Sequence, residues 1–444
     1  MSKTTCTHTN ARHAVCGHVC DPAFEFGVKR FTGIGHACEY LCSDCAAKSD
    51  ATRHFVCDAC LAPIESKADW HYQGKAEIIH KPQAFTFTPH SFHLACLDNA
   101  DLLTSAPLLN STGDWLLFSS NGELIRLDGR SKKTQIMAVL TNEQVCRTGE
   151  IQLCVSENNL FAALTSNVRT TDEGPSSNLG WVVDLTTGEA LLILECGDYH
   201  TENAPFPVCF VEHDNKTLLI HATEWDRLDI TDLTTLKHIT ERSYVDKPDN
   251  WQENKNAFSE WNGQLLVSPD KQWIATIGWA WHPVGLALAW NLQTWLNENI
   301  WEADYGLSKR SFSNWSYFWF SPFCWVNDTT LCVWGYEGFI DEDEIPYNSV
   351  ALYNVSSGEL IRWFTGPSMD SFYYDDYLFS GSTQPTVKPG ALEDKALRVW
   401  DIQDGTLLHQ QENLTPDNYH PESKCFLGSD KPGELTLTHW SKSN

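Results

Sequence analysis

Asp184-Leu-Thr-Thr-Gly188-Glu-Ala-Leu191, Asn354-Val-Ser-Ser-Gly358-Glu-Leu-Ile361 and Asp401-Ile-Gln-Asp-Gly405-Thr-Leu-Leu408 are three copies of one pattern. Each follows a run of strand-forming residues: Trp181-Val-Val183, Val350-Ala-Leu-Tyr353 and Leu397-Arg-Val-Trp400. The pattern reads as a strand, a tight turn with Gly at a position needing positive φ, and a returning strand. Weaker copies begin at Asp232 (DLTTLKHI) and Asn291 (NLQTWLNE), and a degenerate one follows Leu127-Asp128. Upstream of these lies a second hairpin, as in Leu266-Val-Ser-Pro-Asp270-Lys-Gln-Trp273 and Trp325-Val-Asn-Asp328-Thr-Thr-Leu331. Two antiparallel hairpins make a four-stranded unit. The anchors at 128, 184, 232, 291, 354 and 401 are 56, 48, 59, 63 and 47 residues apart, which suits propeller blades with inserted loops. A shorter unit, Cys425-Phe-Leu-Gly428 followed by Gly433-Glu-Leu-Thr-Leu-Thr-His-Trp440, brings the expected number to seven.

With Ala396-Leu-Arg-Val-Trp400-Asp401, a Trp-Asp dipeptide at a strand end, the region of about residues 84–444 resembles the WD40-like β-propellers. Only one unit carries the dipeptide and the Gly-His signature is absent, so the chain reads as a divergent member or a related seven-bladed type. The resemblance implies a rigid platform for protein partners. The last unit supplies three strands of its own. A strand from about 84–97, either Ala84-Phe-Thr-Phe-Thr88 or the run around Phe92 to Leu97, is expected to supply the fourth and close the ring, removing open sheet edges.

The composition changes near residue 100. Eight of the 16 cysteines lie at or before Cys60, and nine of the 17 histidines at or before His93. Cys42-x2-Cys45 and Cys57-x2-Cys60 are separated by eleven residues, a spacing at which two thiolate pairs can share one tetrahedral zinc. Upstream stand Cys6-x-His8, Cys16-x-His18-x-Cys20 and His36-x-Cys38. The preferred second set is Cys6, His8, Cys16 and His18, which share the C-x-H spacing; Cys20 and Cys38 are its rivals. One or two structural zinc ions are expected, because a segment this short and poor in large apolar residues gains much of its folding energy from metal. The layout resembles short bacterial zinc-finger modules and, more loosely, the ubiquitin-binding fingers of deubiquitinases. Those carry further Cys and clustered His after the last CxxC, where this chain offers only His71 and His80.

The expected architecture is all-β: a zinc-binding module at 1–65, a connector at 66–83 and a seven-bladed β-propeller at 84–444. No apolar leader opens the chain and no run of 18 apolar residues occurs, which argues against export or a membrane span. Sixteen cysteines without an export signal fit the reducing cytoplasm. Of the formal net charge of −27, nearly all resides in residues 81–444, with 23 Lys/Arg against 49 Asp/Glu. Such a body repels phosphate backbones, excluding general nucleic-acid binding, and favours solubility or a basic protein partner.

Catalytic signatures are missing. The chain has no HExxH, no GxSxG, no GxGxxG and no GxxxxGK[ST]. Closed four-ligand metal sets are structural rather than catalytic. The acidic stretch Glu337–Glu344 lacks the alternation of a calcium loop and reads as solvated charge. Twelve of the 19 Trp fall between Trp251 and Trp334; most suit packing between blades, with exposed ones expected in the inserts at 243–262 and 300–320. The leading functional reading is a non-enzymatic protein-interaction platform with a structural zinc module. The alternatives are an enzyme whose site lies in the propeller channel or face, and recognition by the zinc module itself, ubiquitin-like proteins included.

Overall fold

In the computed structural model the described residues are 13–31, 38–46, 52–66, 69–73, 78–141, 150–168, 177–197, 199, 204–243, 260–280, 284–316, 320–335, 348–382 and 395–443. Beyond the N-terminal unit they form seven antiparallel sheets in succession. Sheet I holds strands Leu102–Pro107, Trp115–Ser119, Glu123–Leu127 and Thr134–Val139. Sheets II to VI take their strands from 150–195, 208–238, 260–316, 323–365 and 371–412 in turn. Sheet VII combines three strands from 418–442 with Phe85–His93, which pairs antiparallel with Glu434–Lys442 along nine residues, from His93 opposite Glu434 to Phe85 opposite Lys442.

Apolar side chains fill the spaces between consecutive sheets. Leu116, Phe118 and Leu124 of sheet I pack with Ala162, Leu164 and Val183 of sheet II. A larger cluster joins sheets II, III and IV through Val182, Ile220, Ile230 and Trp290. Ala287 and Val333 join IV to V, Trp334 and Trp400 join V to VI, and Phe379 and Phe426 join VI to VII. The cycle completes where Leu427 and Leu437 of sheet VII meet Trp115 and Ile125 of sheet I. Sequential antiparallel sheets, six of four strands and sheet IV of five, packed face to face in a cycle, with a final sheet built from both ends of the repeat region, constitute an all-β propeller.

The repeated turns explain why the strands reverse where they do. Asp184 Oδ1 accepts from the Thr186 and Thr187 amides (2.7 and 3.3 Å), and the Gly188 amide donates to the Asp184 carbonyl at 2.8 Å with Gly188 at φ +78°. Asn354 repeats this with Ser356, Ser357 and Gly358 (φ +79°). Asp232 and Asp128 make the same turn, but the left-handed position holds Leu236 (φ 54°) and Lys132 (φ 60°), where a side chain costs about 1–2 kcal/mol. At Asn291 the hairpin reading gives way to another solution. The side chain accepts from the Thr294 amide at 2.7 Å and caps a helix, Leu292–Asn297, so a short helical segment intervenes before the returning strand Arg310–Ser316. An Asx side chain serves either turn, and the absence of Gly four residues on does not decide between them, since Asp232 and Asp128 lack it and keep the hairpin turn.

Trp261 and Trp301, placed by sequence in inserts expected to expose tryptophan, are buried at 5% and 6% exposure. Trp261 packs at a tilt against Trp279 with ring centroids 4.0 Å apart, and Trp301 lies beneath the Arg242 guanidinium. Arg242 also bridges Asp229 of sheet III and Asp304 at 2.6 Å each, so paired charges as well as apolar contacts join sheets III and IV. Trp251, Trp281, Trp315 and Trp319 and the acidic stretch 337–344 lie outside the residues whose side chains are described.

The N-terminal unit is a five-stranded mixed sheet in the order His54–Val56, His13–Val15, Cys38–Leu41, Phe26–Phe31, Asp69–Gln73, with a helix at Asp58–Glu65. Its last strand runs parallel to Phe26–Phe31, so the sheet continues past residue 65 into the stretch read as connector. Residues 78–83 lie along the strand Thr406–Glu412: the Leu407 amide donates to the Ile79 carbonyl, and the Lys81 and Gln83 amides donate to the Leu407 and Leu408 carbonyls at 3.0 and 2.8 Å. They cover an edge of sheet VI that would otherwise present unpaired groups. No helix among the described residues is long and apolar enough to cross a membrane.

Candidate metal centre

Cys16 follows strand His13–Val15, and its side chain is buried at 1% exposure. A single 3₁₀ turn, Gly17–Cys20, then carries His18 back over it. The parallel neighbour Cys38–Leu41 delivers Cys42 to the same end of the sheet, where the short helix Ser43–Ala46 places Cys45 one turn on. The ligand atoms of Cys16, His18, Cys42 and Cys45 all lie within 4.8 Å of one another. His18 Nδ1 is 3.5 Å from Cys42 Sγ and 3.3 Å from Cys45 Sγ. A tetrahedral ion with metal–sulfur bonds of about 2.3 Å and metal–nitrogen bonds of about 2.0–2.1 Å separates such atoms by about 3.5 Å. The site therefore has the dimensions of one ion and the donor set, three sulfurs and an imidazole, of a closed four-coordinate centre.

The surrounding backbone supports anionic sulfur. The Cys42 amide points at Cys16 Sγ (3.2 Å) and the Cys45 amide at Cys42 Sγ (3.4 Å). Burial opposes ionisation of Cys42, yet the Cys45 amide and the adjoining thiols outweigh it and hold Cys42 below the ordinary thiol range. Burial, followed by the hydrogen bond with Cys42 and the charge of Cys16, pushes Cys45 up to about 12. Three sulfurs at this spacing cannot all ionise without a counter-charge, and a divalent cation supplies it directly. The Arg53–Glu39 pair (2.8 Å) spans the sheet beside the cluster.

The sequence-derived residues are thus regrouped. Cys42 and Cys45 associate with the upstream C-x-H pair Cys16/His18. Cys57, buried at 8% exposure, precedes the helix Asp58–Glu65; Cys60 lies in its first turn, and neither belongs to the gathered four. Cys6 and His8 lie outside the described residues, as does the side chain of Cys38; Cys20 packs against the unit's small core of Val15, Val19, Tyr40 and Leu41. Spacing along the chain favours neighbouring knuckles, whereas the parallel pairing of two strands separated by the Phe26–Phe31 hairpin brings Cys16 and His18 to Cys42 and Cys45.

No family model and no curated protein matches the chain. Solved structures do. A chain of the mitotic checkpoint complex aligns at TM-score 0.50 and 10% identity, covering 83% of this chain and 97% of that one. The RRP9 WD40 repeats align at TM-score 0.48 and 10% identity, covering 82% and 99%. The cyclic packing of antiparallel sheets defines the class of fold as a β-propeller.

Proposed function

We propose that the chain is a non-enzymatic platform for protein–protein interaction: a closed seven-bladed propeller spanning about residues 84–444, preceded by a zinc-stabilised module. The observation that carries this reading is the cyclic packing of seven sheets sealed by Phe85–His93 against Glu434–Lys442. Such a ring is rigid, and its loops form two faces on which a partner docks without paying for reordering of the scaffold. The excess of carboxylates over Lys and Arg favours a basic protein partner over a nucleic acid. Affinity capture with cross-linking from the native host is the test. A stoichiometric protein partner that binds more weakly as salt is raised supports the reading; a chain that stays alone while turning over a small molecule defeats it.

Zinc is the proposed ion at Cys16, His18, Cys42 and Cys45, since three thiolates and one imidazole in a tetrahedral cage suit it. The same combination of C-x-H with C-x2-C leaves Cys6 and His8 to join Cys57 and Cys60 about a second ion, giving an interleaved pair of sites. Metal analysis of the purified chain should then give two zinc ions. Cys45→Ser should remove one and loosen the N-terminal unit, consistent with the roughly 10 kcal/mol that a structural zinc contributes. Cys57→Ser should remove the other while the first site keeps its metal. Less than half an equivalent in the unaltered chain would sink the zinc reading.

A further inference from the structure

Where sheet VII meets sheet I, an open depression of about 550 Å³ is lined by Arg130, Lys132, His90, His439 and Ser423, with Phe92 on one wall and no carboxylate among its lining residues. In a chain of net charge −27 this is an unusual concentration of positive charge. It originates in one turn: Arg126-Leu-Asp-Gly-Arg-Ser-Lys-Lys133 has four cations and a single acid. Among the described residues, Arg126 is paired with Asp114 at 2.7 Å, while Arg130 and Lys132 have no ion pair. The turn is the copy of the repeat in which lysine occupies the left-handed position held by Gly188, Gly358 and Gly405 in the well-formed copies. A local conformational cost is thus borne where a cation is held at the mouth of a cavity. Lys132 donates to the Gly129 carbonyl and lies 5.0 Å from the centre of the Phe92 ring, which fixes its ammonium group facing inward. Burial holds its pKa below the usual lysine range, so an anion beside it would be welcome.

The opposite wall offers further polar groups. His439 Nδ1 lies 3.2 Å from the Ser423 carbonyl and donates to it, turning the rest of the imidazole toward His90, whose ring centre is 6.2 Å away. Ser423 Oγ is buried and has no hydrogen-bond partner. Close backbone packing keeps that hydroxyl in place, because a Cβ on Gly113 would lie 3.0 Å from Ser423 Cβ. A buried hydroxyl left without a partner is unfavourable, and a hydrogen bond to an oxyanion would relieve it.

We propose that this seam takes the phosphate group of a phosphate monoester. Arg130 and the inward-facing Lys132 match a group carrying about −1.5 to −2 charges at neutral pH, and its three terminal oxygens can also use the Ser423 hydroxyl, a donor that a two-oxygen carboxylate would leave idle. The site is independent of the platform reading and lies at a seam between sheets, away from the metal cluster.

Isothermal titration of the full chain with O-phosphoserine, and with a decapeptide carrying one phosphoserine or an aspartate in its place, tests this. Phosphate-bearing probes should bind at least about tenfold more tightly than the aspartate peptide, the effect of one charge-assisted contact. Equal affinity for O-phosphoserine and the phosphopeptide would identify a small-molecule ligand; tighter binding of the phosphopeptide would identify a peptide. Arg130→Gln, which alters an exposed side chain and leaves the fold intact, should weaken binding at least about tenfold, and Arg130→Gln with Lys132→Gln should abolish it. Lys271→Gln, outside the lining of the depression and paired with Glu157, should change nothing. Absence of phosphate binding up to about 10 mM, equal binding of the aspartate peptide, or indifference to Arg130→Gln would each overturn the proposal.

Discussion

His221 is a single residue whose environment makes a pH prediction. It lies in strand Lys216–Glu224 at 4% exposure, with Nδ1 2.9 Å from the Ala222 carbonyl and Nε2 2.9 Å from Thr231 Oγ1. Nδ1 must donate to the carbonyl, so Nε2 accepts from the Thr231 hydroxyl, which in turn accepts from His238 Nδ1 at 2.9 Å. Burial, with the charge of His238, brings the His221 pKa down to about 4. The folded state then binds fewer protons than the unfolded chain between about pH 4 and 6.5, so stability rises with pH across that window and is lost as pH falls through it. Urea unfolding should lose about 2–3 kcal/mol between pH 6.5 and 4.5 from this residue. His221→Gln should flatten that part of the profile; an unchanged slope would show that the histidine carries a proton in the folded state. At the same scale, the Cys and His types were legible from the sequence, but their partnerships were not, because a ligand's partner is chosen by strand pairing and not by spacing.

Turns set the element scale. Where the left-handed position holds glycine the hairpin is unstrained, and where it holds Leu236, 46% exposed, the strain has no visible compensation. Leu236→Gly should raise the unfolding free energy by about 0.5–1 kcal/mol, the relief of the left-handed cost less glycine's greater freedom when unfolded. The reverse change, Gly188→Leu, should be destabilising beyond that amount, since a Cβ there would also meet the Met137 carbonyl at 2.6 Å. Paired melts of the two variants give the comparison; a destabilised Leu236→Gly would mean that Leu236 makes apolar contacts worth more than its strain. The Asp/Asn-x-x-x-Gly rhythm announced these turns. Asn291 departs because the same side chain can instead cap a helix, and a local pattern cannot choose between two uses of one hydrogen bond.

For the molecule as a whole, the decisive contact joins residues more than 340 positions apart: Ser91 meets Thr436 through their hydroxyls at 2.8 Å within the closing pair of strands. Removing residues 1–77 should leave a monomeric ring, because the docked segment 78–83 and the closing strand remain. Removing 1–93 should expose the whole edge of Glu434–Lys442 and the apolar faces of Phe426 and Trp440, producing aggregation or dimers joined edge to edge. Size-exclusion chromatography and thermal unfolding of the two truncations would separate these outcomes, and a well-behaved monomer lacking 1–93 would show that the ring does not depend on its shared sheet. The acidic field of the body belongs to this scale too, and the basic seam is noticed only against it.

What the sequence by itself determined is periodic and local: the alternation of strand and turn, the surplus of carboxylates and the concentration of Cys and His before residue 60. These depend on residue type at fixed short spacings, which hydrogen bonding within a hairpin reads directly. Tertiary structure alone decided which C-x-H pair faces which C-x2-C pair, that Trp261 and Trp301 are interior, and that Arg130 and Lys132 meet His90, His439 and Ser423 from the far end of the chain. Each of these depends on burial between sheets or on pairing between remote strands, and ring closure is what brings those distant residues within reach of one another.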